Sequence, residues 1–548
     1  MAHGHFRTRM PANEPVYTYA PRTPERSALR AALEKMGSEE IEIPIVAGGK
    51  PIESSKIGES RCPHDHRHLL AKFHSAGKKE VDLAIRAARE AWPAWSRMRW
   101  EDRAAIFLKA ADLLAGPYRQ VLNAATMLGQ SKTCHQAEID SACELIDFFR
   151  FNVYFMQRIY EEQPESQPGL WNRLDYRPLE GYIFAVTPFN FTSIGGNLPT
   201  SPALMGNTVL WKPASTAVLS AYYILKLLEE AGLPPGVINF VPGSGAEVGD
   251  PALASPEFAG IHFTGSTEVF HGVWKTIGAN ISTYKNYPRI VGETGGKDFV
   301  FAHPSADPQA LAAALLRGSF EYQGQKCSAS SRAYIPKSLW KKVSRSLEEQ
   351  LAEVKVGDPT DFTNFMGAVI DRNAFQKIEK YIQYAKKSDE AEIVAGGGAD
   401  SSQGWFIEPT VVQTTNPDFK LMKEEIFGPV LTVFVYADRK LDEALEWCDQ
   451  GSPYALTGAI FAHDRAAIVE MTDKLRHAAG NFYINDKPTG AVVNQQPFGG
   501  SRASGTNDKA GSAQNLMRWV TMRSIKETFV PPRHFGYPFL DPDAPDVR

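Results

Sequence analysis

Cysteine is scarce in this chain. Five cysteines (Cys62, Cys134, Cys143, Cys327 and Cys448) are spread over 548 residues. So sparse and odd a set argues against a disulfide framework and fits a reducing compartment. Long apolar runs are also missing: none approaches the roughly 18 residues that a membrane-spanning helix needs. Neither sign of charge dominates. The formal net charge is −4, which implies no nucleic-acid or membrane-surface partner. No repeat of solenoid length is visible. The first thirteen residues carry Arg7 and Arg9 and no acid, an echo of a mitochondrial presequence too short to count as one. What is present is an ordinary globular balance, 43% hydrophobic and 22% charged, long enough for roughly three units of about 150 residues.

The head, through about Pro51, is turn-rich and reads as an arm over the main body. Helical spacing begins at Lys79, with Val81, Ile85, Ala88 and Trp92 on one face. Further helices are expected over Glu101–Leu114 and Glu138–Asn152. The polar stretch around Gln163, Pro164, Gln167 and Pro168 reads as a loop or hairpin outside the core. From Gly181, short apolar runs alternate with helical patterns: GYIFAV, NTVLWKP, a helix from about Thr216 to Ala231, GVINFVPG, AGIHFTG and PRIVGE. A second series begins after Gly296, with DFVFA, a helix over Asp307–Tyr322, RAYIP, LTVFVYA, LTGAIFA and NFYIND. Such alternation predicts two α/β units, each a parallel sheet covered by helices. The tail from about Gln514 holds a strand-like stretch, Met517–Ile525, and a Pro-rich end suited to packing on a partner subunit.

Cys327 lies in EYQGQKCSAS, beside Lys326 and shortly after Gly324. A basic neighbour lowers a thiol pKa and enriches the nucleophilic thiolate. A lone cysteine is more often a small buried hydrophobe, and nothing around Cys327 resembles a cysteine protease. Glu293, in GETGGKD, ends an apolar run between small neighbours. Burial there would raise its pKa toward neutrality, as a general base requires, although a turn with an incidental acid fits the fragment as well. Asn190, in TPFNFTSIGGNL, follows GYIFAV at a strand's carboxyl end, where α/β sheets place ligands. Its amide could donate to an oxyanion or close a simple turn.

Two segments could cradle phosphate. GSGAEVG (243–249) has one residue too many for the dinucleotide glycine pattern. FTGSTEVF (263–270) follows a strand-like run and opens a helix, so that Gly265 and Ser266 would present backbone amides. Lys212, in WKPAS, could bond ribose hydroxyls. CPHDHRH (62–68) offers Cys62, His64, His66 and His68 on alternate positions. No second ligand cluster accompanies it, and Pro63 with its polar surroundings fits an exposed loop, so no metal is expected.

In this order, Asn190, Lys212, GSTEV, Glu293, Cys327 and EEIFGPV (424–430) resemble the aldehyde dehydrogenase superfamily. QAEIDSACELIDFFRFN (136–152), TPFNFTSIGGNL, EYQGQKCSAS, NFYINDKPTG (481–490) and QQPFGGSRASGTNDK (495–509) are similar, within it, to the delta-1-pyrroline-5-carboxylate (glutamate-γ-semialdehyde) dehydrogenases, from about Asn13 to Glu527. The resemblance implies an α/β fold: a Rossmann-like NAD-binding domain (1–155 and 179–295, with the arm), an α/β catalytic domain (296–513) and a small β oligomerisation flap with the tail (156–178 and 514–548). It implies NAD-dependent oxidation of L-glutamate γ-semialdehyde to L-glutamate through a Cys327 thioester, the second oxidation of proline catabolism. A mitochondrial matrix location follows from the same resemblance, as does a homodimer or larger assembly.

By the same resemblance Cys327 is the nucleophile, Glu293 the general base, and Asn190 with the Cys327 N–H the oxyanion site. Thr187, Lys212, Gly265, Ser266, Thr267, Glu268, Val269, Glu425 and Phe427 would hold NAD. Lys326, Ser328, Gly490 and Ala491 would take the substrate's α-carboxylate, Phe191 and Phe498 its methylenes, and Glu138 would approach from the side. An apolar clamp suits a methylene chain, and glycine lets backbone amides close on a carboxylate. The pattern departs at Phe270, where many members have Gly, and at Ser215, where many carry a Glu that disfavours NADP. Ala491 replaces a serine of some relatives. The rival readings are a dehydrogenase for another semialdehyde, such as succinic semialdehyde, and a non-catalytic NAD-binding protein.

Overall fold

The computed structural model describes residue 4 and residues 6–543. The last five residues of the tail segment 514–548 lie outside that range, as do residues 1–3 and 5 of the head. Two seven-stranded sheets dominate. In the first, five parallel strands run in the order Arg289–Glu293, Phe258–Thr264, Tyr182–Val186, Thr208–Lys212 and Ile238–Phe240. Every residue of Phe258–Thr264 is buried, as expected of a parallel strand covered on both faces. Ile45–Ala47 and Lys50–Ile52 extend this sheet antiparallel at its far edge.

The second sheet runs Ala391–Ala395, Thr410–Thr414, Val430–Tyr436, Ser330–Pro336, Asp298–Ala302, Thr457–Phe461 and Asn481–Ile484, parallel except for its first pair. Glu293, at the end of a strand of the first sheet, forms a bridge with Gly505, in the loop that follows Ser501–Arg502. There Thr506 N donates to Gly292 O and Thr294 N to Ser504 O, both at 2.9 Å. A Cβ on Gly292 would fall 2.1 Å from the Phe270 ring, which itself stacks on Phe263 at 5.2 Å. The Phe270 departure from the superfamily pattern is thus a buried ring laid over Gly292, fixing the end of the strand that carries Glu293.

Outside the sheets, Leu170–Pro178 and Val520–Thr528 pair antiparallel along nine residues. This pairing takes in most of the strand-like tail stretch read from the sequence, while Gln163, Pro164, Gln167 and Pro168 lie in the loop just before its first strand. Among the described residues no helix is long and apolar enough to cross a membrane.

Several local expectations are corrected. Much of the head is not an overlaid arm. From Pro24 it is built into the body, as the helix Pro24–Gly37, with Leu29, Leu33 and Met36 buried, and the strand Ile41–Ile43. The sequence reading also named no helix over Arg119–Gln130, most of whose polar residues are buried along with its apolar ones. CPHDHRH is not an exposed loop: Cys62 and His64 are 1% and 4% exposed. Its histidines diverge to Ser131 Oγ (His64), Ser401 O (His66) and Gly37 O (His68). Among the described residues no cluster of three or more such side chains could hold a metal.

The segment 134–161 is helical throughout but contains a π-helical stretch, Glu138–Glu144. Widening the turn re-aims side chains relative to a 3.6-residue period. Glu138 therefore faces Arg119, Asn123 and the Tyr19 hydroxyl and is fully buried. Arg119 also pairs with Glu14 at 2.6 Å, which pairs in turn with Arg150 at 2.6 Å. Removing one partner of such a network strands a buried charge. Arg119→Ala is expected to lower unfolding stability by about 3–5 kcal/mol, read as a shifted denaturant midpoint. A change under about 0.5 kcal/mol, the size of an ordinary surface substitution, would contradict this account.

Candidate functional site

Cys327 follows a tight turn, Glu321–Gly324, in which Tyr322, Gln323 and Gly324 all have positive φ (51°, 56° and 63°). A Cβ on Gly324 would lie 2.3 Å from Gly428 O, so only glycine lets this loop press against the EEIFGPV segment. The thiol is 6% exposed and lies 3.8 Å from Glu293 Oε1, to which it donates. Burial, then the nearby Glu293, Asp298 and Glu425, push the Cys327 thiol well above its ordinary value. The expectation that Lys326 would lower it is corrected: the Lys326 ammonium turns to Glu321 at 3.3 Å. Burial raises Glu293 to about 7, the bond from Cys327 opposing that rise.

The two glycines after Glu293 and Thr294 have separate steric reasons. A Cβ on Gly295 would meet Glu425 Oε2 at 2.6 Å, and one on Gly296 would meet Cys327 O at 2.2 Å. Gly296 N donates to Glu425 Oε1 at 2.9 Å, so the base segment, the nucleophile loop and Glu425 are locked together.

On one side Cys327 opens into a cavity of about 770 Å³. Thr187, Asn190, Lys212, Gly265, Ser266, Val269, Glu425 and Phe427 line it. Thr267 stands at its edge, accepting from Gly295 N at 3.4 Å, whereas Glu268 is exposed and outside the lining. Lys212 is half-buried and, among the described residues, its ammonium meets only the Pro213 carbonyl, at 3.2 Å; desolvation lowers it to about 8. Gly245, from GSGAEVG, also lines this cavity, and a Cβ there would meet nothing within 4 Å. Ser266 caps the helix Thr267–Ala279 by accepting from Val269 N, and that helix N-terminus borders this cavity, an end that favours anions.

On the other side Glu293 borders a small cavity of about 50 Å³ with Phe498, Phe148 and Glu144. Glu144 was missed in the sequence and Glu138 was named in its place. Glu138 is committed to Arg119, while Glu144 accepts from Ser193 Oγ at 2.8 Å, and burial, then Asp140, raise it to about 8. Ser328 Oγ forms a hydrogen bond with Thr489 Oγ1 at 2.8 Å in which either hydroxyl can donate. Gly490 has φ 95°, and a Cβ on it would lie 3.3 Å from Lys487 Nζ, so the loop carrying Gly490 and Ala491 has a cation beside it that spacing did not single out. Lys509 is a further omission. It is half-buried, donates to Gly480 O and Gly499 O, and its charge opposes that of Glu293.

The aldehyde dehydrogenase family pattern matches residues 52–525. The chain belongs to the aldehyde dehydrogenase family. Within it, this chain is 54% identical to the mitochondrial delta-1-pyrroline-5-carboxylate dehydrogenase of Dictyostelium discoideum, over 97% of this chain and 96% of that one. It is 48% identical to the mitochondrial human protein of the same name, over 96% and 94%. The crystal structure of the Mycobacterium tuberculosis delta-pyrroline-5-carboxylate dehydrogenase bound with NAD superposes with a TM-score of 0.95 at 53% identity, covering 98% of this chain and 99% of that one. In this aldehyde dehydrogenase the resting thiol is held neutral by its surroundings. Iodoacetamide labelling of Cys327 in the ligand-free enzyme is therefore expected to go on rising above pH 9, past the range of an ordinary cysteine. A plateau below pH 8 would show that the thiol is pre-ionised and that this electrostatic picture is wrong.

Proposed function

We propose that this aldehyde dehydrogenase oxidises L-glutamate γ-semialdehyde, the open form of delta-1-pyrroline-5-carboxylate, to L-glutamate with NAD, as the second oxidation step of proline catabolism. The observation that carries this is the Cys327–Glu293 pair set between two unlike spaces. One is a large cleft with a half-buried lysine and a helix N-terminus. The other is a narrow pocket with Phe498 and Glu144.

The large cleft fits a dinucleotide. Among the described residues Lys212 has no carboxylate partner, Gly245 leaves its wall open, and Ser266 begins a helix at its edge. Thr187, Lys212, Gly265 through Val269, Glu425 and Phe427 would hold NAD, which when bound supplies the hydride acceptor. Cys327 Sγ bonds to the aldehyde carbon while Glu293 takes the thiol proton. The Asn190 amide and the Cys327 N–H hold the oxyanion that forms. Loss of hydride from that carbon leaves a thioester on Cys327. Glu293, having released its proton to solvent, takes one from a water that attacks the thioester. The C–S bond breaks, glutamate leaves and the thiol is restored.

At the substrate end, Lys326, Ser328 and the N–H groups of Gly490 and Ala491 would receive the α-carboxylate, with Lys487 beside them. Phe191 and Phe498 would flank the methylenes. Glu144, rather than Glu138, would face the ammonium. A cation arriving there would favour the carboxylate form that burial disfavours in the empty pocket. In the same reading residues 1–155 with 179–295 bind NAD and 296–513 carry catalysis. The hairpin from 156–178 and 514–548 would dimerise the enzyme in the mitochondrial matrix.

NADH production should be faster from pyrroline-5-carboxylate than from succinic semialdehyde; the reverse order would sink the substrate assignment. Cys327→Ala should bind NAD and lose turnover, and near wild-type turnover would mean a different nucleophile. Glu144→Gln is expected to raise KM about tenfold, or about 1.4 kcal/mol, and an unchanged KM would remove Glu144 from the site. Because Glu293 works as a base only when deprotonated, hydrolysis-limited kcat should fall as pH drops through about 7. A flat profile between pH 6 and 8 would exclude Glu293 as that base.

A further inference from the structure

Lys132 takes no part in the chemistry above, yet it is fully buried. It follows Ser131, which ends the helix Arg119–Gln130 in a left-handed conformation (φ 55°, ψ 40°), and that turn throws the lysine inward. Its ammonium donates to Asp140 Oδ2 at 2.6 Å. It also lies 4.4 Å from the centroid of the Phe191 ring and 4.4 Å from that of Tyr322.

Those contacts belong to different arms of the reaction centre. Phe191 is next to Asn190, at the start of the helix Thr192–Leu204. Asp140 caps that helix, its two oxygens accepting from Thr192 N and Ser193 N at 2.9 Å each. Tyr322 belongs to the strained turn that leads into Cys327. The neighbouring Ser131 carbonyl accepts from Gln323 Nε2 of the same turn at 2.9 Å. One cation thus joins the loop of the oxyanion donor to the loop of the nucleophile.

We infer that Lys132 is a positioning residue, a cationic pin between the Phe191 and Tyr322 rings that sets Asn190 and Cys327 in register with each other. A cation between two desolvated rings is attracted more strongly than one at the surface. Asp140 neutralises it while fixing the oxyanion helix, so the pair leaves no buried charge uncompensated. The inference rests on Cys327 and Asn190 sharing one reaction centre and not on which aldehyde is oxidised.

The test is Lys132→Met with Asp140→Asn in the full-length enzyme. The double variant removes both charges together and leaves an acceptor at residue 140. It is expected to keep its Tm within a few degrees and its NAD affinity within twofold. Its kcat should fall tenfold or more, and iodoacetamide labelling of Cys327 should change at least threefold. Lys132→Arg, which keeps the cation and the pairing to Asp140, should recover a large part of that loss. A folded double variant with wild-type kcat and labelling overturns the proposal, as does Lys132→Arg with activity no better than the double variant. Should the double variant not fold, Tyr322→Leu against Tyr322→Phe decides. The Tyr322 hydroxyl has no hydrogen-bond partner among the described residues, so the ring alone matters. Phe should restore the labelling rate that Leu alters, and equal rates in the two overturn the proposal. Labelling needs no substrate, so a wrong aldehyde assignment would leave this test intact.

Discussion

Cys327 and Glu293 face each other across 3.8 Å in a buried site that disfavours charge on either. Burial lifts the acid to about 7 and the thiol well above its ordinary value, so at neutral pH the proton stays on sulfur until something changes the local field. A base poised near neutrality can accept that proton during reaction without being permanently charged beforehand. The arrangement works only at short range, which makes the position of two backbone segments the central mechanical demand on the fold.

Much of the surrounding structure meets that demand. The strand bearing Glu293 is held from above by the Phe270 ring and from the side by Gly505 and Thr506. The loop bearing Cys327 is held through Gly324 against Gly428, through Gly296 against its own carbonyl, and through Gln323 against Ser131. Glycine recurs here because backbone must touch backbone, and a methyl group would part the segments by more than the reaction can tolerate. Charge is treated the same way. Glu138, Asp140 and Glu144 lie within one π-helical stretch and have three separate duties: an ion pair with Arg119, a helix cap balanced by Lys132, and a carboxylate at the small pocket.

That last division shows what was legible in the sequence and what was not. Alternating apolar runs marked most strands of both sheets, because buried parallel strands need near-continuous hydrophobicity. Asn190, Glu293 and Cys327 each sit where an apolar run or helix gives way to small residues, but no one fragment assigned a role; the order of the motifs and the family resemblance did. Glu138 came from the family resemblance, whereas the structure turns it to Arg119 and sets Glu144 at the small pocket, a choice that a 3.6-residue period cannot make because these acids lie in a π-helical stretch. The helix Arg119–Gln130 was not named from the sequence although its apolar residues fall on one face; what the sequence does not show is that its polar side chains are buried on Glu138 and Ser220. Lys326 beside Cys327 suggested an activated thiolate, but adjacency in sequence says nothing of direction, and its ammonium points to Glu321.

The antiparallel pairing of Leu170–Pro178 with Val520–Thr528 has a consequence for the newly made chain. Asp175 and Arg523 pair across it at 2.7 Å although they are 348 residues apart in sequence. At about 5–20 residues per second, the ribosome needs on the order of tens of seconds between the two strands. Throughout that time the first strand has an unpaired edge, the kind of surface that recruits other chains. Translation arrest or truncation before residue 520 would prolong that exposure indefinitely. The nascent chain's exposure to aggregation is therefore set by the order in which its strands are made, whatever the stability of the finished fold.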